Sequence, residues 1–313
     1  MCCLFGMADY KNSLSGKQKA RMLSVLATEC EARGTDATGI AYNHDGLQIH
    51  KRPLPAHKMR FFIPDDVQVI LGHTRQTTQG SEKRNKNNHP FEGNVQNKKF
   101  ALAHNGILYN DRELKLSHNL PKTNIETDSY VAVQLIEKKN TLDFDSLKFM
   151  AEQVEGSFVF TVLDEKDGTY FVKGDNPLCV YHYPKMKLYL YASTQEILDK
   201  AIRKMPIKDE PERINIRSGE ILKIDASGNI SRSEFEMNNI FSYHYLTPYS
   251  YPYTTSTKNR KDKKKYSAET QQYIEDLKSV ACYCGYEPEI IDDFLDEGFT
   301  LDEMVDMIYH GEM

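Results

Sequence analysis

Met1-Cys2-Cys3-Leu4-Phe5-Gly6 places a cysteine directly behind the initiator methionine. Methionine aminopeptidases remove Met1 when the next side chain is small, and the mature chain then begins with a residue carrying both a thiol and a free α-amine. The amine, with a pKa of about 8, can take the proton of a thiol whose own pKa is about 8.5. The two groups form a self-contained base and nucleophile, the cysteine counterpart of the threonine/N-terminal-amine arrangement. A cysteine also falls at position 2 by chance, so the reading depends on the motifs downstream of it.

Outward from this start, residues 2–7 read as a short strand. Residues 17–31 read as a helix with Met22, Leu23, Leu26 and Cys30 on one face. It is expected to stop at Arg33-Gly34, with the glycine as a left-handed cap. Apolar strands are expected over 37–42, 67–73 and 100–104, then a helix over 126–137 with Tyr130, Val131, Val133, Leu135 and Ile136 on its apolar side. Further strands are expected over 157–163, 169–172, 187–192 and 220–224. Strands in runs with helices grouped between them indicate a layered α+β architecture rather than alternating βαβ units.

The pattern changes near residue 240. Residues 241–253 are rich in Tyr and Pro, and Lys258, Arg260, Lys261, Lys263, Lys264 and Lys265 make the next stretch basic. Together 241–266 read as a linker. Residues 267–313 read as a small helical tail: one helix from Ala268 to Cys282, a second opened by Pro288 and stopped at Gly298, and a third opened by the capping-box spacing of Thr300 and Glu303. Ile290, Ile291, Phe294, Leu295, Phe299, Leu301, Met304, Ile308 and Tyr309 would form its core. The three-helix pattern is similar to ubiquitin-associated-type bundles, which makes a docking module one reading and a helical extension of the main domain the other.

Composition sets the outer limits. The chain has 313 residues and is 40% hydrophobic, enough for a packed domain plus an appendage. Forty basic against 45 acidic residues give a net charge of -5, which speaks against a nucleic-acid binder. No apolar run approaches the roughly 18 residues of a membrane helix, and no secretory signal precedes Cys2. The cysteines Cys2, Cys3, Cys30, Cys179, Cys282 and Cys284 are irregularly spaced, unlike a disulfide framework. Cys282-Tyr283-Cys284 is too tight for the usual zinc spacing, so no metal or cofactor is expected. A cytoplasmic location fits these features.

Four downstream segments carry the chemistry: Arg33-Gly34-Thr35-Asp36-Ala37-Thr38-Gly39-Ile40, Gly72-His73-Thr74-Arg75, His104-Asn105-Gly106-Ile107 and Glu126-Thr127-Asp128. Singly each has a plain structural reading: a surface charge at Arg75, a hairpin turn at Asn105-Gly106, a helix-start acid at Asp128. Together they suit a zwitterionic amino acid. Arg75 matches an α-carboxylate because guanidinium binds carboxylate through paired N–H groups, and Asp128 matches an α-ammonium. The Asn105 side chain and the Gly106 N–H could stabilise an oxyanion. The polar loop after Arg75 could close over the substrate.

In order and spacing these segments resemble class II glutamine amidotransferases, which are N-terminal-nucleophile hydrolases. The resemblance continues through Glu155-Gly156-Ser157-Phe158, Gly174-Asp175-Asn176-Pro177-Leu178, Ala192-Ser193-Thr194-Gln195-Glu196 and Ser218-Gly219-Glu220-Ile221. It covers roughly residues 2–236 and implies a four-layer αββα fold for a glutaminase domain spanning 2–240. It also implies that Cys2 is the nucleophile with its α-amine as base. Arg75 would hold the glutamine carboxylate and Asp128 its ammonium, with Asn105 and Gly106 as the oxyanion hole. Arg33 and Gly34 would line and buttress the pocket, and Thr78 would lie in the closing loop. The γ-amide of L-glutamine would pass through a Cys2 thioester to glutamate and ammonia.

Two residues depart from the family pattern: Cys3 where glycine is common, and Gln79 where histidine is common. Fewer than eighty residues come after position 236, too few for the synthase domain that consumes ammonia, so an acceptor enzyme on a separate chain is the expected partner. The alternatives are an N-terminal-nucleophile hydrolase acting on another small amide, and a non-catalytic protein that senses glutamine or serves as a scaffold.

Overall fold

β1 (Cys3–Asp9) is buried along its whole length and hydrogen-bonds on both edges, to β4 (Val69–Arg75) and β10 (Leu188–Ala192). In this computed structural model residues 2–237, 268–283 and 286–297 are described, together with Leu301, Met304 and Met307. The chain divides into two compact units, 1–248 and 249–313.

In the larger unit β1 is central to an antiparallel sheet of seven strands. Beyond β4 come β2 (Ala37–Asn43) and β3 (Leu47–Arg52); beyond β10 come β9 (Cys179–Tyr183) and β11 (Glu212–Ile214). A second antiparallel sheet of six strands runs in the order β13 (Ile230–Glu234), β12 (Glu220–Ile224), β8 (Thr169–Lys173), β7 (Gly156–Leu163), β6 (Lys98–Leu108), β5 (Phe91–Val95).

Strand alternation divides β1 between two cores. Cys3, Phe5 and Met7 point into the layer shared with α1 (Gly16–Glu29) and α5 (Gln195–Ile202), where they meet Leu23, Leu26 and Leu198. Leu4 and Ala8 point the other way, into a core between the sheets that includes Ala101, Ala103, Val159 and Tyr191. A third core packs α3 (Tyr130–Lys139) and α4 (Phe144–Gln153) on the outer face of the second sheet, through Val131, Leu135, Leu147 and Phe160. The fold is therefore helix, sheet, sheet, helix: the four-layer αββα arrangement. Burial on both faces explains why the inner strands β1, β4, β7, β8 and β10 read as apolar runs, while β3, β11 and β13 at the sheet edges stay partly exposed.

Several local expectations change. α1 opens on Ser15, whose side chain and that of Gln18 form a reciprocal capping box. The helix then tightens into a 3-10 turn over Cys30–Arg33. Gly34 is no left-handed cap: its φ of 172° is extended backbone. Glycine is needed there for a close approach, because a Cβ would lie 2.5 Å from the Arg75 carbonyl carbon. The helix expected from 126 begins only at Tyr130, and Asn105-Gly106 lies inside β6 rather than in a turn. β3, β5, β9, β11, β13, α2 (Asp111–Ser117), α4 and α5 are elements without a sequence expectation.

The smaller unit has α6 (Ala268–Tyr283) and α7 (Ile290–Glu297). Ile274, Leu277, Ala281, Ile291 and Met304 form its core, flanked by Ile290, Phe294, Leu295 and Leu301. The linker over 241–266 and Phe299, Ile308 and Tyr309 lie outside the described residues, as do the side chains of Cys282 and Cys284. Among the described residues no helix is long and apolar enough to cross a membrane.

Candidate active site

The expected site residues converge where β1 begins and β4 and β6 end. Cys2 is half-buried at the head of β1. Its carbonyl accepts from Arg33 Nε at 3.0 Å, and its thiol donates to the Gln76 carbonyl at 3.4 Å. Burial pushes the Cys2 thiol above its ordinary value; the Gln76 backbone and Arg75 oppose that rise, and Asp128 adds to it. Arg75 and Asp128 thus both act electrostatically on the thiol. Cys3 faces the opposite layer, its sulfur 2.9 Å from that of Cys30. This departure from the family pattern lies in the helix-side core and not in the pocket.

Arg75 ends β4 and is buried. Its Nη1 donates to Asn88 Oδ1 at 2.7 Å, and its Nη2 to the carbonyls of Gln79 at 2.6 Å and Gly80 at 2.8 Å. The guanidinium therefore curls the loop after β4 back on itself, and Gln79 takes part through its backbone. Asp36 fixes the same loop from the other side: its N–H donates to the Arg75 carbonyl at 3.0 Å and its Oδ2 accepts from Thr77 N–H at 2.7 Å. Among the described residues Arg75 has no ion-pair partner, although burying a charge without one is costly.

Asp128 is buried too, and it also lacks an ion-pair partner among the described residues. Its Oδ2 accepts from Leu108 N–H at 2.7 Å, which ties it to the end of β6. Gly106 holds φ at 145°, a conformation that favours glycine, and a Cβ there would meet the Ser157 carbonyl oxygen at 1.9 Å. Asn105 is fully buried, with its carbonyl accepting from Asn176 Nδ2 at 3.0 Å. Its Nδ2 lies 3.4 Å from Ser193 Oγ, and its Oδ1 has no partner. Ser193 Oγ already accepts from Leu4 N–H at 2.8 Å. A half turn of the amide lets the Ser193 hydroxyl donate and leaves the Asn105 NH2 at the unpartnered end, the orientation an oxyanion needs.

An open cleft of about 540 Å3 adjoins this constellation, lined by Thr78, Gln79, Ile107, Leu108, Tyr109, Asp111 and Arg112. It does not include Cys2, Arg75, Asn105 or Asp128 themselves. Thr78 is therefore on the wall of an approach to the site.

A family profile described as a glutamine amidotransferase domain matches residues 73–200, a span that holds Arg75, Asn105, Gly106 and Asp128. The chain carries a class II glutamine amidotransferase domain. It is 32% identical over 190 residues to a glutamine–fructose-6-phosphate aminotransferase (isomerizing) of Staphylococcus epidermidis, covering 58% of this chain and 30% of that protein. Against the protein of the same name from Staphylococcus aureus it is 29% identical over 246 residues, 74% of this chain and 38% of the relative. The chain thus spans about a third of the length of these relatives. The glutamine phosphoribosylpyrophosphate amidotransferase of Bacillus subtilis, complexed with ADP and GMP, shares the fold at a TM-score of 0.60 and 21% identity, over 76% of this chain and 50% of that one.

Several residues of the amidotransferase site carry no role legible in the sequence. Asp36, Asn88, Asn176 and Ser193 each bond to a residue that does carry one, or to its loop. Asp36, Asn176 and Ser193 stand within the family motifs. Asn88 does not, and its polar side chain buried beside Arg75 is legible only in three dimensions.

Proposed function

We propose that this domain hydrolyses the γ-amide of L-glutamine and delivers the ammonia to an acceptor synthase, on another chain or in a further part of a longer protein. The observation that carries the reading is the pair of buried, opposite charges on Arg75 and Asp128, neither in an ion pair among the described residues and each acting on the Cys2 thiol. A free amino acid supplies both missing partners at once, its carboxylate to Arg75 and its ammonium to Asp128.

With Met1 removed, the α-amine of Cys2 takes the thiol proton as sulfur adds to the amide carbon. The carbonyl electrons move onto oxygen, where the Asn105 amide and the Gly106 N–H stabilise them. Collapse expels ammonia, protonated by the same amine, and leaves a γ-glutamyl thioester. Water adds to the thioester, the amine takes its proton, and the thiol leaves with glutamate formed. Arg33 steadies the Cys2 carbonyl throughout. The helical unit around Ile274 and Ile291 has its own apolar core, which supports its reading as a separate docking module.

The test is glutamate release from L-glutamine by protein confirmed by mass spectrometry to begin at Cys2, beside a Cys2→Ala control. Release that depends on Cys2 is expected. Release unaffected by Cys2→Ala would overturn the mechanism, and glutamine binding without turnover would make the domain a sensor.

A further inference from the structure

The Gly72-His73-Thr74-Arg75 and His104-Asn105-Gly106 motifs each contain a histidine that the mechanism does not use. Both are fully buried. His73 Nε2 lies 3.0 Å from the His104 carbonyl oxygen, so it carries the proton and donates. His104 Nδ1 lies 2.8 Å from Ser129 Oγ, and the Ser129 hydroxyl donates to Asp128 Oδ1 at 3.3 Å. A hydroxyl that gives its hydrogen to a carboxylate must accept from its other neighbour, which fixes the His104 tautomer as Nδ1–H. His104 Nε2 then has only a lone pair, and it makes no hydrogen bond although the Ser157 backbone lies near the ring. The chain of donors is polarised in one direction and ends on a carboxylate.

We infer that Ser129 and His104 are positioning residues for substrate recognition: the His104 Nδ1–H, relayed through the Ser129 hydroxyl, holds Asp128 Oδ1 in the orientation that receives the α-ammonium. The inference rests on the proposed glutamine reading. The other oxygen of Asp128 is held by the Leu108 N–H, so the relay supplies the second anchor that stops the carboxylate rotating. Burial pushes both His104 and His73 down, so the imidazoles stay neutral and set no cation against the ammonium. His104 also immediately precedes Asn105, so one residue pair serves both the ammonium end and the oxyanion end of the substrate.

L-Glutamate and glutarate differ only in the α-ammonium, so their competition against L-glutamine hydrolysis isolates what Asp128 does. Wild-type protein beginning at Cys2 should be inhibited more strongly by L-glutamate than by glutarate. Ser129→Ala should raise the KM for glutamine and the inhibition constant of L-glutamate about tenfold, the effect of one hydrogen bond to a charged group. It should move the glutarate constant less than about twofold. Ser129→Thr should restore the preference. His104→Leu should reproduce Ser129→Ala, and His104→Asn, whose amide N–H stands near the imidazole Nδ1–H, should keep most of it.

Discrimination unchanged in Ser129→Ala would overturn the positioning role. A parallel rise in KM and both inhibition constants would overturn it as well, showing a merely structural contribution. Wild-type protein that hydrolyses glutamine yet binds both inhibitors equally would remove Asp128 from ammonium recognition. Wild-type protein without glutaminase activity would refute the underlying reading before any variant is made.

Discussion

Gly34 lies so close to the backbone of Arg75 that a Cβ on it would stand 2.5 Å from the Arg75 carbonyl carbon and 2.7 Å from its oxygen. The turn after α1 and the end of β4 therefore share one contact, and on it depends where the guanidinium is aimed. The same turn carries Arg33, which grips the Cys2 carbonyl. A single short segment touches both Cys2 and the strand end that carries Arg75.

Gly34→Ala should accordingly push β4 away, at a cost of about 1–3 kcal/mol in stability. The KM for glutamine should rise more than kcat falls. Thermal unfolding and steady-state kinetics on the same preparation check this, and wild-type values in both would remove the contact from the account.

Cys2→Ala should lower turnover by about 10⁴-fold or more, as loss of a nucleophile does elsewhere. Its melting temperature should stay within about 4 °C of wild type, because one half-buried thiol contributes little to the core.

Arg75→Lys keeps the charge but loses the fork that engages Asn88 and the carbonyls of Gln79 and Gly80. A KM for glutamine raised about 10- to 100-fold is expected. An unchanged KM would mean that the substrate carboxylate binds elsewhere.

Acid should destabilise this domain through its buried histidines. Burial pushes His73 down to about 3 from an ordinary 6.5, His89 well below its usual range, and His104 in the same direction. The unfolded chain then binds protons that the folded chain refuses. The stability these neutral rings contribute is whole above pH 6.5 and is lost as pH falls toward the folded values. Each ring contributes a slope of up to about 1.4 kcal/mol per pH unit in that window. Denaturant unfolding between pH 7 and 5 should show the decline, and His89→Leu should flatten it by about one proton. A variant with the wild-type slope would show that His89 is not among the groups responsible.

Deleting residues 254–313 should leave glutamine hydrolysis within about twofold of the full chain, since among the described residues the three cores of the larger unit include none of them. Loss of soluble protein on deletion would instead make the helical unit part of the domain's own packing.

Short-range signals carried much of the architecture. The short strand at β1 and the helix with the apolar face of Met22, Leu23 and Leu26 both stand where the sequence puts them, although β1 is buried on both faces and shows no alternation. Period failed where side chains are committed to a site. Glu126 to Ser129 reads as the first turn of a helix, but Asp128 and Ser129 turn their side chains inward, and the Glu126 N–H donates to Asn87 Oδ1. Helix geometry begins only at Tyr130. Asn105-Gly106 has the local chemistry of a hairpin turn, but pairing with Val159 and Phe158 of β7 makes it strand.

The sequence by itself determined the inventory: a cysteine behind Met1, an arginine at a strand end, an Asn-Gly pair, an acid at an expected helix start, and the order in which they come. Those are covalent facts and local preferences, and no later folding step can alter them. Only the tertiary structure decided that Arg75 and Asp128 are buried beside one thiol with no ion pair among the described residues, that Cys3 turns away from it, and that Ser129 and His104 connect to the carboxylate. Burial and proximity of this kind arise from stacking two sheets whose strands are distant in sequence. The energies that create the site, desolvation and unpaired charge, have no local signature.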